Sequence, residues 1–225
     1  MTIRVLLADD QPLVLLGFAM IINAQPDLEV VGEANDGTEA IRLAALSSPD
    51  VVLMDVRMPG LDGLAATRLL TATKSGPRVL VLTTFDLDEY AVTAVRSGAS
   101  GFLLKNARPD ELLAGIRAVA SGDAVLAPST TRRLLDSLSD QLPLRQPGNV
   151  DVLSSLTSRE RDVFDAMSAG LSNPEIAVRL FVSETTVKTH VGRILSKLGL
   201  RDRVHAVIFA YENGLILRNE GRDPT

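Results

Sequence analysis

With 225 residues and 46% apolar content the chain has material for one large core or two ordinary ones, and the absence of cysteine excludes disulfide scaffolds, zinc ribbons and thiol nucleophiles. The net charge of −5 is unevenly spread: sixteen acids oppose ten bases between Met1 and Asp123, whereas Asp151 to Thr225 carries ten of each. No apolar run reaches the roughly 18 residues that span a bilayer, and Asp9 falls where a secretory signal would stay apolar, so a soluble, cytoplasmic protein with no membrane partner is expected.

Short runs of β-branched and leucine residues predict strands at Ile3 to Ala8, Leu28 to Ala34, Val51 to Met54, Arg78 to Thr83 and Gly101 to Leu104. Their continuous apolarity suits strands covered on both faces. Helical patterns lie between and after them, at Pro12 to Asn23, Thr38 to Ser47, Gly63 to Leu70, Leu87 to Gly98 and Pro109 to Ser121. Pro12 and Pro109 stand near helix starts, where a missing N–H costs nothing. The alternation predicts a (βα)5 unit over residues 1–121, an α/β fold with a doubly wound parallel sheet.

The proline-bearing stretch from Gly122 to about residue 152, with one amphipathic fragment at Thr130 to Leu138, reads as a linker with a short helix. Beyond it only helical segments appear, giving a smaller all-α domain over 153–218 and a tail over 219–225. Thr157 with Glu160 and Ser172 with Glu175 fit capping boxes, and Ser183 and Asp202 fit single N-caps. Between Arg179 and Arg203 six bases face two acids, a basic block inside an acidic chain.

Ligands of open α/β sheets bind beyond the carboxyl ends of the strands, where strand order reverses. At those ends the sequence places Asp9 and Asp10, Asp55, Thr83 and Lys105. Three carboxylates in a small space call for a divalent cation, and oxygen-only ligands indicate Mg²⁺. A metal beside a free carboxylate supports phosphoryl transfer to Asp, with Lys and Thr meeting the transferred oxygens. An aspartyl phosphatase would use similar groups, but such enzymes place a general acid two residues after the nucleophile, and here that position is Arg57.

Asp9-Asp10, Asp55 in LMDVRMPGLDG, Thr83, and Phe102 with Lys105 in GFLLK together resemble the receiver domain of two-component response regulators. The resemblance implies that Asp55 is the phosphoacceptor, Asp10 a direct Mg²⁺ ligand, Asp9 a water-mediated one and the Arg57 carbonyl a further one. It also implies that Thr83 follows the phosphoryl group, that Phe102 is an aromatic switch and that a sensor histidine kinase is the partner. Asn106 stands where many receivers have a proline. Arg57 and Phe85, two positions after Asp55 and Thr83, carry no carboxylate or amide to orient a water, so slow loss of the phosphoryl group is expected.

In Ser183 to Leu198 the apolar residues Val187, Val191, Ile194, Leu195 and Leu198 form one stripe, with Thr185, Thr189, Gly192, Arg193 and Ser196 opposite. Asn173 to Leu180 precedes it across the short turn Phe181-Val182, as in a helix-turn-helix. The run LTSRERDVFDAMSAGLSNPEIAVRLFVSETTVKTHVGRILSKLGLRDRVHAVIFAYENGL resembles the LuxR-type DNA-binding domain, and the whole chain resembles a NarL/FixJ-type response regulator. That implies promoter duplex DNA as partner, with Lys188, Thr189 and Gly192 at base-reading positions and Thr185, Thr186, His190, Arg193 and Lys197 along the DNA backbone. Arg179 and Arg203 read as solvated or ion-paired, and His205 as a helix-surface residue. In the last helix, Asp202 to Asn213, Val204, Val207, Ile208 and Tyr211 are assigned to the core face and Ala206, Phe209 and Ala210 to a second apolar face that pairs two copies into a homodimer on DNA.

Overall fold

Five apolar runs form one parallel sheet: β1 (Ile3–Ala8), β2 (Leu28–Ala34), β3 (Val51–Asp55), β4 (Arg78–Thr83) and β5 (Gly101–Leu104), in the spatial order β2-β1-β3-β4-β5. The structure is a computed structural model that describes residues 2–73, 76–83, 93–122 and 150–215. Period-two alternation divides each strand between two cores. Leu6, Val52, Met54, Val79 and Val81 point to one side, where α2 (Gly37–Ser47) and α3 (Gly63–Leu70) bring Ala40, Ala44, Ala66 and Leu70. Val5, Leu7, Leu53, Leu80 and Leu82 point to the other, where α1 (Pro12–Asn23) and α4 (Pro109–Ser121) bring Leu15, Ile22, Leu112 and Ile116. Each such aliphatic side chain gains about 1.5–3 kcal/mol from burial, so both faces of the sheet must be covered.

The helices begin where their caps put them. α2 starts at Gly37, one residue before the expected Thr38, because the Asp36 carboxylate accepts the Glu39 N–H at 2.8 Å. Asp62 caps α3 in the same way, accepting the Ala65 N–H at 2.7 Å. Of the helix expected from Leu87 to Gly98, residues 93–96 are helical and the portion before 93 lies outside the described residues. The Thr130 to Leu138 fragment and nearly all of the expected linker also lie outside them.

The chain divides into two compact units, Met1–Thr130 and Thr131–Thr225. The second unit contains α5 (Ser158–Ser168), α6 (Asn173–Leu180), α7 (Glu184–Leu198) and α8 (Arg203–Glu212) around Phe164, Met167, Ile176, Val187 and Ile194. Both capping boxes are formed, with Thr157 and Glu160 at α5 and Ser172 and Glu175 at α6. Ser183 and Asp202 accept the N–H groups of Thr186 and His205, as single caps should. The Arg203 guanidinium is buried rather than solvated: it donates to Asn173 Oδ1 at 3.0 Å and to the Leu171 carbonyl, tying the start of α8 to the start of α6.

Glu160 also links two helices, since its Oε2 accepts from Lys197 Nζ at 2.6 Å and from the Thr157 N–H at 2.8 Å. The Lys197 ammonium foremost, then the Thr157 N–H, hold the Glu160 carboxyl at about 2 against an ordinary 4.5. A depressed carboxyl pKa contributes stability that is complete above pH 4.5 and is lost as pH falls toward about 2. Urea melts at successive pH values, read at α5 and α7 amide signals, should therefore show an acid loss in that window that Glu160→Gln lacks. Identical pH profiles for the two proteins would remove Glu160 from this role.

Candidate metal centre and nucleic-acid interface

The sheet register assembles the first site. Asp9 follows Ala8, which pairs with Met54, so Asp9 and Asp55 end neighbouring strands at the point where strand order reverses. Asp55 pairs with Leu82, one residue before Thr83, and Thr83 pairs with Leu104, one residue before Lys105. Asp9, Asp10, Asp55, Thr83 and Lys105 thus line one rim, as their spacing predicts. α3 crosses close beneath Asp55: a Cβ at Gly63 would lie 1.7 Å from the Asp55 carbonyl oxygen, a distance only glycine avoids.

Lys105 Nζ lies 2.7 Å from Asp9 Oδ2 and 2.9 Å from Asp55 Oδ2, and all three side chains are buried. Asp9 Oδ1 accepts the Gln11 N–H at 3.0 Å, whereas the buried Oδ2, 2.7 Å from Lys105 Nζ, has no well-directed hydrogen-bond donor among the described residues. Burial raises the Asp55 carboxyl above its ordinary range, against the pull of Lys105. For Lys105 burial opposes the charge, but the contacts with Asp9 and Asp55 outweigh it and hold the ammonium protonated.

One oxygen each from Asp9, Asp10 and Asp55 lie within 4.8 Å of one another, with Asp10 exposed. When all three are ionised, Lys105 leaves two negative charges uncompensated. An all-oxygen donor set, one buried oxygen without a directed donor and this residual charge fit a hard divalent cation. Thr83 and Phe102 are buried, and Phe102 belongs to the core on the α2–α3 face of the sheet. Arg57 is exposed, with its backbone N–H turned to the Asp55 carboxylate. Phe85 lies outside the described residues.

The second surface is α7. Val187, Val191, Ile194 and Leu195 are buried, while Thr185, Lys188, Thr189, Gly192, Arg193 and Ser196 are exposed together on the far side. Lys188 makes an exposed ion pair with Glu184 at 3.2 Å, and Thr189 Oγ1 donates to the Thr185 carbonyl at 3.0 Å. The remaining three expected contact residues are placed differently. Thr186 is half-buried with its hydroxyl 2.8 Å from that of Ser183, His190 is half-buried with no partner for its Nδ1 among the described residues, and the exposed Lys197 is the ion-pair partner of Glu160.

The expected second face of α8 is corrected. Ala206 and Ala210 are fully buried in the core of their own unit, and the Phe209 ring stands edge-on to Phe164 at 6.4 Å and 79°. The face assigned to a second copy is thus the one turned toward α5, since Ala and Phe fill the space that the larger α5 side chains leave. His205 is more than a surface residue, with its Nδ1 2.8 Å from the buried Asp202 carboxylate. Phe181, in the turn before α7, is 95% exposed with φ +55°, a left-handed conformation rare for an aromatic residue. Only its place after a helix and before a cap hints at that turn.

Residues 5–117 match the family described as response regulator receiver domain, and residues 154–210 match bacterial regulatory proteins, luxR family. The chain is 46% identical to the transcriptional regulatory protein YxjL of Bacillus subtilis over 95% of its own length and 97% of that protein. It is 38% identical to the nitrate/nitrite response regulator protein NarL of Escherichia coli, over 92% and 94%. The solved response regulator ChrA of a heme-sensing two-component system has a TM-score of 0.51 at 38% identity, covering 96% of this chain and 99% of that one.

Because Ala206 is interior, Ala206→Asp would bury an unpaired carboxylate, which costs several kcal/mol. The expected outcome is collapse of the second unit, read as loss of dispersed signals from α5 to α8 while those of the sheet persist. A variant that keeps those signals would return Ala206 to an outer face.

Proposed function

We propose, for a chain that belongs to the response regulators joining a receiver domain to a LuxR-type DNA-binding domain, that phosphorylation of Asp55 by a sensor histidine kinase controls its binding to promoter DNA. The chain is a DNA-binding transcriptional regulator and not a turnover enzyme. The observation that supports the Asp55 assignment is the rim itself, where Lys105 meets both Asp55 and Asp9 and the three carboxylates converge. An Asp55 oxygen attacks the phosphorus of a phosphohistidine, the P–N bond breaks, and the departing imidazole regains a neutral state by proton exchange with solvent. Mg²⁺, held by Asp9, Asp10, Asp55 and the Arg57 carbonyl, would neutralise the phosphoryl oxygens. The Lys105 ammonium, now on Asp55 Oδ2, is placed to pair with the added oxygens, and Thr83 follows the group while Phe102 responds as the switch.

The kinase must reach this rim. α1 starts directly beside Asp9 and Asp10, and its exposed Leu13, Leu16 and Met20 support a protein partner there. The work takes place in the cytoplasm, where promoters lie. No helix among the described residues is long and apolar enough to cross a membrane.

On DNA, α7 is the major-groove helix. Lys188, Thr189 and Gly192 occupy the base-reading positions, Thr185 and Arg193 follow the backbone, and the half-buried Thr186 and His190 and the Glu160-paired Lys197 complete the expected contact set. Breaking the exposed Lys188–Glu184 pair costs at most about 0.5 kcal/mol, so Lys188 is available to bases. A homodimer on two half-sites is the geometry that helix-turn-helix proteins favour. Its contacts come from surfaces other than Ala206 and Ala210.

With acetyl phosphate and Mg²⁺ the protein should shift on a phosphate-affinity gel, Asp55→Asn should not shift, and Asp10→Ala should shift at least about tenfold more slowly, as should the parent under chelation. Undiminished labelling of Asp55→Asn would sink the assignment. For the second surface, Lys188→Ala should lower affinity and relax preference at one base pair by about 1–3 kcal/mol, whereas Arg193→Ala should weaken all sequences alike and flatten the salt dependence. Matching profiles from the two variants would refute the division of roles.

A further inference from the structure

Gly192 stands in the interior of α7, far from either cap. Glycine there is a cost without local return, because it loses more backbone freedom on folding than alanine does. Where this chain uses glycine for close packing, the reason is visible: a Cβ at Gly37 would lie 2.4 Å from the Leu61 carbonyl oxygen, and one at Gly63 would lie 1.7 Å from that of Asp55. At Gly192 an added Cβ would meet no heavy atom within 4 Å, and the residue is exposed. No neighbour among the described residues of its own unit needs the side chain to be missing.

Gly17 in α1 also has open space around it, so it is the position of Gly192 in the fold that points to a reason. Gly192 lies one turn beyond Lys188 and Thr189, beside Arg193, on the face opposite the buried stripe of Val187, Val191 and Ile194. A helix with its side chains is about 10–12 Å across and the major groove of duplex DNA is about 12 Å wide, so side chains on the entering face set how deep the helix sits.

We infer that Gly192 is a specificity-determining position whose missing side chain lets the α7 backbone approach the base edges closely enough for Lys188 and Thr189 to read them. The inference rests on the reading of α7 as the DNA helix. It assigns to Gly192 a steric role in place of a polar contact. The same substitution then has opposite effects on two measurable quantities, since alanine improves the helix and obstructs the groove.

The test uses the full chain treated with phosphodonor. A preferred duplex is first selected from a randomised pool, and binding to it and to an unrelated duplex is then measured for the parent, Gly192→Ala and Gly192→Gln. In Gly192→Ala, amide exchange within α7 should slow by about fivefold. Its affinity for the selected duplex should fall by about tenfold, with Gly192→Gln losing more, while affinity for the unrelated duplex changes by less than about twofold. Unchanged binding of the selected duplex by the alanine variant, an equal loss on both duplexes, or faster exchange in α7 would each overturn the inference while leaving α7 as the DNA helix. A parent chain that selects no sequence would instead overturn the reading of α7, and this inference with it.

Discussion

Three carboxylates forced together at the carboxyl ends of a buried sheet are the constraint on which the first unit depends. Asp9 and Asp55 are buried, and one ammonium, from Lys105, lies within 3 Å of both. Losing one partner of such a buried set leaves a charge without compensation and typically costs about 3–5 kcal/mol, so the ion pairs fix β1, β3 and β5 against one another at this rim. The apolar contacts beneath them make that arrangement rigid. Leu53 and Met54 point into opposite cores, which leaves Asp55 at the strand end with no freedom to slip register. Close approach at Gly63 pins α3 under the same residue.

The charge left over after Lys105 makes the site responsive. A protein that only needed a stable rim would have no use for the exposed Asp10 beside two buried acids, since it adds repulsion without packing. A bound cation would relieve that repulsion, and a phosphoryl group added at Asp55 would redistribute it among the same residues. Lys105 couples such a change to the backbone, because its N–H donates to the Thr83 carbonyl at 2.8 Å in the β4–β5 pairing. Thr83 is thereby connected to the site through its backbone. Phe102, which pairs with Val81 two residues before Thr83, is buried on the α2–α3 side of the same two strands.

Much of this was legible in the sequence because it depends on patterns local to one element. Continuous apolarity located the five strands, and Ser, Thr or Asp before helical runs located the starts of α5, α6, α7 and α8. Asp55, Thr83 and Lys105 could be placed because strand ends in a parallel sheet share one rim. What sequence left hidden depends on a partner distant in the chain. Lys197 reads as one more base on a DNA helix, yet Glu160, 37 residues earlier, holds it. Arg203 reads as solvated or ion-paired until Asn173 and the Leu171 carbonyl are seen beside it. α8 failed for a different reason. A helix apolar all round has no single preferred face, and only the Phe164 ring and the α5 surface decide that Ala206, Phe209 and Ala210 turn inward.

The same contacts explain how a chain of net charge −5 can present a surface to DNA, and they set a limit on it. Two of the six bases between Arg179 and Arg203 are committed inside the second unit, Lys197 to Glu160 and Arg203 to the α6 start. Lys188 shares its charge with Glu184. Positive charge on α7 that is not tied to another helix thus comes from Lys188 and Arg193, since the exposed Lys197 is paired with Glu160, and the Thr185, Thr189 and Ser196 positions around them add polarity without charge. Since phosphate neutralisation supplies most sequence-independent affinity, so few cations give a weak general attraction for duplex DNA. Binding by this unit then rests on fit within the groove more than on charge.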